Sequence, residues 1–178
     1  MACHFATFRQ GGSPIIAVAL HDGHHVRPEV RPYLKLSEEL RLREEDPFTG
    51  RWCAIADNRV IAHHSRFECD LNRPKAKAIY RTPDDAWGLD VWRHPVPEAI
   101  FERSLARYDR FYQCLFDLIE SLLSRHRRVV VLDLHTYNHR RGGPDSEPQD
   151  GRQNPEINLG TGSMDRQHWA EVVERFMA

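Results

Sequence analysis

The residues of this chain best placed to do chemistry are histidines that end apolar runs. His21-Asp22-Gly23-His24-His25 follows Ile15-Ile16-Ala17-Val18-Ala19-Leu20, and Asp133-Leu134-His135-Thr136-Tyr137 follows Val129-Val130-Val131-Leu132. A histidine at a strand end serves as a metal ligand or a general base, with Asp133 or Tyr137 close by to orient it or to act on substrate. One such ending is readily explained as a strand that stops in polar residues, but its repetition favours a convergent site. The acidic run Glu44-Glu45-Asp46 is the nearest supply of carboxylates to the first histidine turn, although such runs are usually solvated helix ends. Asn72-Arg73 suits a carboxylate, because Arg offers a planar fork of donors and Asn a further N–H. A surface turn with a structural ion pair explains the same two residues.

Elements must bring these residues together. Five of the first six residues from Val129 are Val or Leu, too continuous for a strand with one wet face, so a central strand buried on both faces is expected there. Ile15 to Leu20 reads as a second buried strand, with Gly23 allowing a sharp turn just beyond His21. Both polar ends would then lie at the carboxyl edge of the sheet, where open α/β sheets bind ligands. Ahead of these strands the N-terminal segment is polar. Ser37 is a plausible N-cap for a short helix over Glu38 to Arg43, and Pro47 ends that region. Arg59 to Leu71 reads as one or two strands, and Thr82 to Pro95, with Trp87 and Trp92, as a covering loop. Pro97 opens the clearest helix, with Phe101, Leu105, Tyr108, Tyr112, Leu115, Ile119 and Leu122 as its apolar stripe. Helix followed by buried strand implies a crossover and at least partly parallel pairing. Asn138 to Asn154 is a Gly-, Pro-, Arg- and Asp-rich loop, readable as an active-site flap or as disorder. A short strand over Glu156 to Leu159 and a helix from about Asp165 complete the chain. Gly160-Thr161-Gly162 alone is too weak to be a phosphate loop.

The 178 residues suit a single α/β domain over residues 1–178. With 25 basic against 26 acidic residues there is no basic field to recruit nucleic acid. No run reaches the roughly 18 apolar residues of a membrane span, and no signal-peptide core precedes the first strand. The scattered Cys3, Cys53, Cys69 and Cys114 read as reduced thiols, so a cytoplasmic protein is expected.

Several pieces combine into a spaced pattern: His21 with Gly23, Glu45-Asp46-Pro47-Phe48, Ser65-Arg66-Phe67 leading into Asp70-Leu71-Asn72-Arg73-Pro74, Asp133 to Tyr137, and Pro155-Glu156-Ile157-Asn158-Leu159-Gly160. From about residue 14 to about residue 163 this pattern resembles the N-formylglutamate amidohydrolase family, which is similar in fold to the zinc carboxypeptidases. The resemblance implies a mixed, largely parallel central sheet flanked by helices, of the phosphorylase/hydrolase-like kind. It further implies one zinc ion, a small acyl amino acid substrate such as N-formylglutamate, and a setting in histidine degradation. By the same resemblance His21 and His135 are zinc ligands, Asp46 is the acidic ligand with neighbouring Glu45 as the other choice, and Asn72 and Arg73 grip the substrate carboxylate. Arg66 or Arg73 would stabilise the developing oxyanion or the substrate carboxylate, and Tyr137 would orient the histidine or act on substrate. The chain departs from the pattern in two places. The carboxypeptidases carry a glutamate three residues after the first histidine, where this chain has His24. The glutamate that activates water in the family's C-terminal part has no match before Ala178. The chain is then a truncated member, or another acid substitutes, or catalysis is lost and a binding or regulatory protein of the same fold remains.

Overall fold

Ile15–Ala19, strand β2, is the strand on which the sheet is built, and its last four residues are buried. The computed structural model describes residues 3–140, 142–162 and 164–178. It divides into two compact units, one up to Tyr137 and one from Asn138 onward. In the first unit β2 lies between β3 (Asn58–Ala62) and β4 (Val130–Asp133), parallel to both. An additional strand, β1 (Ala6–Arg9), pairs antiparallel with β3, giving the order β1-β3-β2-β4. The unit is thus a mixed α/β structure with a four-stranded, mainly parallel sheet.

Helices cover both faces. Helix α3 (Glu98–Leu123) packs Phe111, Leu118 and Leu122 against Ile16, Val18 and Val60. On the opposite face, α2 (Thr49–Trp52) leads into the turn at Cys53–Ile55, and Cys53 and Ala56 pack with Ala17 and Ala19. Helix α1 (Glu38–Glu44) begins as expected, with the Ser37 hydroxyl accepting from the Leu40 N–H. A buried Arg27 guanidinium fastens three segments together, donating to Glu68, to Glu29 and to Ser104 of α3. Gly23 is required by crowding rather than by its backbone angles, since a Cβ there would lie 2.2 Å from the carbonyl carbon of His63.

Three expectations for this unit are corrected and a fourth is refined. The Val129 run forms an edge strand instead of the central one: among the described residues no strand pairs with its outer side, and Val130 and Val131 stay 36% and 43% exposed. Continuity of apolar residues reports what a strand can bury and leaves open how many neighbours it has. β1 lay in a segment read as polar, because only Ala6 and Phe8 of its residues turn toward the core. Past Ala62 the chain turns, with Glu68 and Cys69 donating backbone bonds to the Ser65 carbonyl, so Phe67 and Leu71 are core residues of a turn and not of a strand. The stripe of α3 holds in part, with Phe101 and Leu122 buried and Tyr108, Tyr112, Leu115 and Ile119 half-buried against the core, but its most buried line also runs through Ser104, Phe111 and Leu118.

A second apolar cluster, including Phe67, Tyr80, Val91 and Ile100, lies beneath the loop of residues 82–96, and the Trp92 indole donates 2.6 Å to the Tyr80 carbonyl. That loop therefore does cover something.

The second unit is rich in turns and holds, among its described residues, one helix, α4 (Ala170–Met177). Residues 156–159 form no strand, with a bend at 156 and 157, and no partner strand is present among the described residues of this unit. The helix starts later than Asp165, whose carboxylate instead caps the preceding turn through Gln167 N and His168 N. No helix among the described residues is long and apolar enough to cross a membrane.

Candidate metal centre

The parallel pairing of β2 with β4, with Val18 opposite Asp133, brings the carboxyl ends of the two strands side by side. His21 and His135, each two residues past its strand, meet there with ring centroids 5.0 Å apart. The third member arrives from the end of α1. Asp46 donates its backbone N–H to the His21 carbonyl at 2.9 Å and accepts from the Thr49 hydroxyl at 2.7 Å, which holds it in place beyond the helix. Its Oδ2 lies 3.3 Å from His21 Nδ1 and 2.7 Å from His135 Nδ1. One ligand atom from each of His21, Asp46 and His135 falls within 4.8 Å of the other two.

The far side of each ring is also occupied. His21 Nε2 lies 2.6 Å from Asp70 Oδ1, so that carboxylate braces the ring from behind while Nδ1 faces Asp46. His135 Nε2 lies 3.1 Å from Asp133 Oδ2. Burial alone would raise Asp46, but the bonds from His135 and His21 outweigh it and hold the carboxyl well below its usual range. Burial would likewise lower His135, yet Asp133 and Asp46 push it up to about 9. Both shifts favour the charged forms, a carboxylate on Asp46 and an imidazolium on His135.

Asp70 is the residue beside this group that sequence reasoning left without a role. It is fully buried, lies beside His21 Nε2 and accepts from Arg66, the Tyr80 hydroxyl and the Asn72 N–H, with Arg73 Nε 3.5 Å away. The signal was an acid two residues ahead of Asn72-Arg73, but nothing local in the sequence shows its burial. Two tyrosines of α3 anchor this turn: Tyr108 donates to the Arg73 carbonyl and Tyr112 to the Leu71 carbonyl.

Glu45 faces elsewhere. Its carboxylate is buried between the Ser65 hydroxyl and His24 Nδ1, so of the two acids Asp46 alone joins the histidines. Asn72 is exposed and its amide lies 3.2 Å from His135 Nε2. Arg73 lies over the Tyr80 ring with its Nε 3.5 Å from Asp70, a loose ion pair. Arg66 is held by Asp70, the Tyr80 hydroxyl and the Glu44 carbonyl. Tyr137 lies two residues past His135 and is 37% exposed.

Two imidazole nitrogens and one carboxylate oxygen, with both remote nitrogens braced by carboxylates, are a donor set that fits zinc, whereas calcium and magnesium favour all-oxygen sites. Metal binding must expel the His135 proton. Affinity is accordingly expected to rise about tenfold per pH unit until about pH 9 and then level off, read by competition with a chelator of known proton affinity. A flat profile would place the metal elsewhere.

Together, the mainly parallel sheet and the two-histidine, one-carboxylate group at its carboxyl edge describe an α/β protein with a group that could hold a metal ion. The family follows from comparison: a model of the N-formylglutamate amidohydrolase family matches residues 13–178, nearly the whole chain, and the chain belongs to that family. No similar curated protein and no similar solved structure was found.

Proposed function

We propose that this protein is a zinc-dependent amidohydrolase acting on N-formyl or N-acyl amino acids such as N-formylglutamate, with a fold related to that of the zinc carboxypeptidases. Family membership supports amide hydrolysis. The observation that carries the zinc reading is the meeting of two Nδ1 atoms on Asp46, each ring braced from behind. The family match spans both units, which supports one functional domain over residues 1–178. Cys3, Cys53, Cys69 and Cys114 are free thiols, in keeping with a reducing, cytoplasmic setting.

His21, Asp46 and His135 would hold the metal, which when bound supplies a Lewis acid that polarises the amide carbonyl and makes water nucleophilic near neutral pH. Hydrolysis then breaks the C–N bond, with the hydroxyl passing to the formyl carbon and the proton to the amino nitrogen, giving formate and glutamate. Asn72 and Arg73 grip the substrate carboxylate, the guanidinium through its planar fork. Arg66 faces the developing oxyanion, where a prepositioned donor is worth most. Tyr137 acts on the substrate from the end of the His135 stretch. Asp70, saturated with donors, keeps its charge.

The test is a metal analysis of the purified protein beside an assay of formate release from N-formyl-L-glutamate. One zinc per chain with metal-dependent release is expected, and a zinc-loaded protein that releases no formate overturns the reading. The carboxylate pocket is tested separately. Arg73→Lys is expected to weaken binding of the acidic substrate strongly with zinc retained, because an ammonium cannot reproduce the planar two-pronged grip. The same change should matter far less for a substrate whose carboxylate is amidated. Equal loss for acid and amide would return Arg73 to its ion pair with Asp70.

A further inference from the structure

Trp87 occupies a conformation that a bulky side chain rarely adopts, with φ 43° and ψ 38°. Its loop is built to hold it there. Thr82 and Asp85 form a reciprocal capping box at the start of the preceding helical turn, and the N–H groups of Trp87 and Gly88 both return to the Pro83 carbonyl. Backbone held in so sparsely populated a region concentrates at functional sites, where the surrounding structure imposes it.

The indole of Trp87 covers one face of the Arg66 guanidinium, with the Cζ atom 4.9 Å from the ring centroid. Its N–H donates to Glu44 Oε2 at 3.2 Å, and the carbonyl of that same Glu44 accepts from Arg66 Nη1 at 3.4 Å. Tyr80 meets the indole edge-on at 5.8 Å and accepts from Arg66 Nε at 3.1 Å. With Asp70 taking Nη2, the guanidinium is held on one face and at three of its N–H groups. One N–H on each of Nη1 and Nη2 stays unclaimed among the described residues. Trp87 itself is 48% exposed, so burial of the indole does not account for the geometry it imposes.

We propose that Trp87, locked by Glu44, is a positioning residue that fixes the Arg66 guanidinium so that its two remaining N–H groups face the reacting carbonyl oxygen. The inference rests on the amidohydrolase reading for the role of Arg66, and its consequences separate from that reading. A group that orients a transition-state donor changes kcat, whereas a pocket wall changes KM.

The experiment uses zinc-loaded full-length protein and N-formyl-L-glutamate. Trp87→Leu is expected to lower kcat at least tenfold with KM and zinc content unchanged. Trp87→Phe, which keeps a ring over Arg66 without the N–H, is expected to recover part of the loss. A rise in KM alone, or no change in either constant, overturns the proposal. If the wild-type protein shows no hydrolysis, the positioning claim is decided by NMR of the arginine side-chain Nε–H groups. The Arg66 signal, assigned by its loss in Arg66→Lys, should be ring-shifted and slow to exchange in wild type and lose both properties in Trp87→Leu. An Arg66 signal untouched by that substitution overturns the claim whatever becomes of the amidohydrolase reading.

Discussion

Alanine at His21 or at His135 is expected to leave the purified protein without stoichiometric metal and without measurable hydrolysis. Each substitution removes one of the three donors that meet at the carboxyl ends of β2 and β4, and two remaining donors do not make a catalytic zinc site. Asp46→Asn should weaken metal binding severely as well, because the amide brings no charge to the point both histidines face. Glu45→Gln serves as the neighbouring control, since its carboxylate is occupied by Ser65 and His24, and metal content should be retained. The measurement is elemental analysis after dialysis, with circular dichroism to confirm the fold. A full equivalent of zinc in both alanine variants would move the site to other residues.

Asp70→Asn should have the second largest effect, and it should act on metal and fold at once. This carboxylate braces the metal-facing ring of His21 and neutralises Arg66, with Arg73 close by. Loss of such a brace costs about 10–100-fold in metal affinity. Removing one partner of a buried ion pair costs on the order of 3–5 kcal/mol of stability. Chelator titration and denaturant unfolding measure the two separately, and near-native values in both would deny Asp70 the bracing role. The pH dependence carries a sign. Burial would raise the Asp70 carboxyl, but His21, Arg66 and Tyr80 outweigh it and hold it well below the usual carboxylate range. Its contribution is thus complete above that range and is lost as pH falls below it, so the variant should show a shallower acid limb of stability.

Much of the site was legible because its chemistry is carried by residue types that mark strand ends. His21 and His135 stood out as polar terminators of apolar runs, and the parallel pairing of β2 and β4 puts them at one edge. Between Glu45 and Asp46 the choice turned on which way consecutive side chains face past a helix end, and local sequence leaves that open. Asp70 was hidden for a related reason: its burial depends on a carbonyl of Ala78, a hydroxyl of Tyr80 and two tyrosines of α3, all distant in the chain or on another element. The sheet order was equally out of reach of periodicity. Val130 and Val131 are as apolar as Ile16 and Val18, yet the latter have a strand on each side and the former have one.

The placement of β4 also orders events in time. β2 and β3 can pair once the first third of the chain has collapsed, whereas β4 must close a far longer loop to reach β2, and such non-local pairings form slowly. His135 arrives only with that strand, 89 residues after Asp46. During refolding the His21, Asp46 and His135 group is expected to stay incomplete until β4 docks, so that metal capture lags the return of secondary structure.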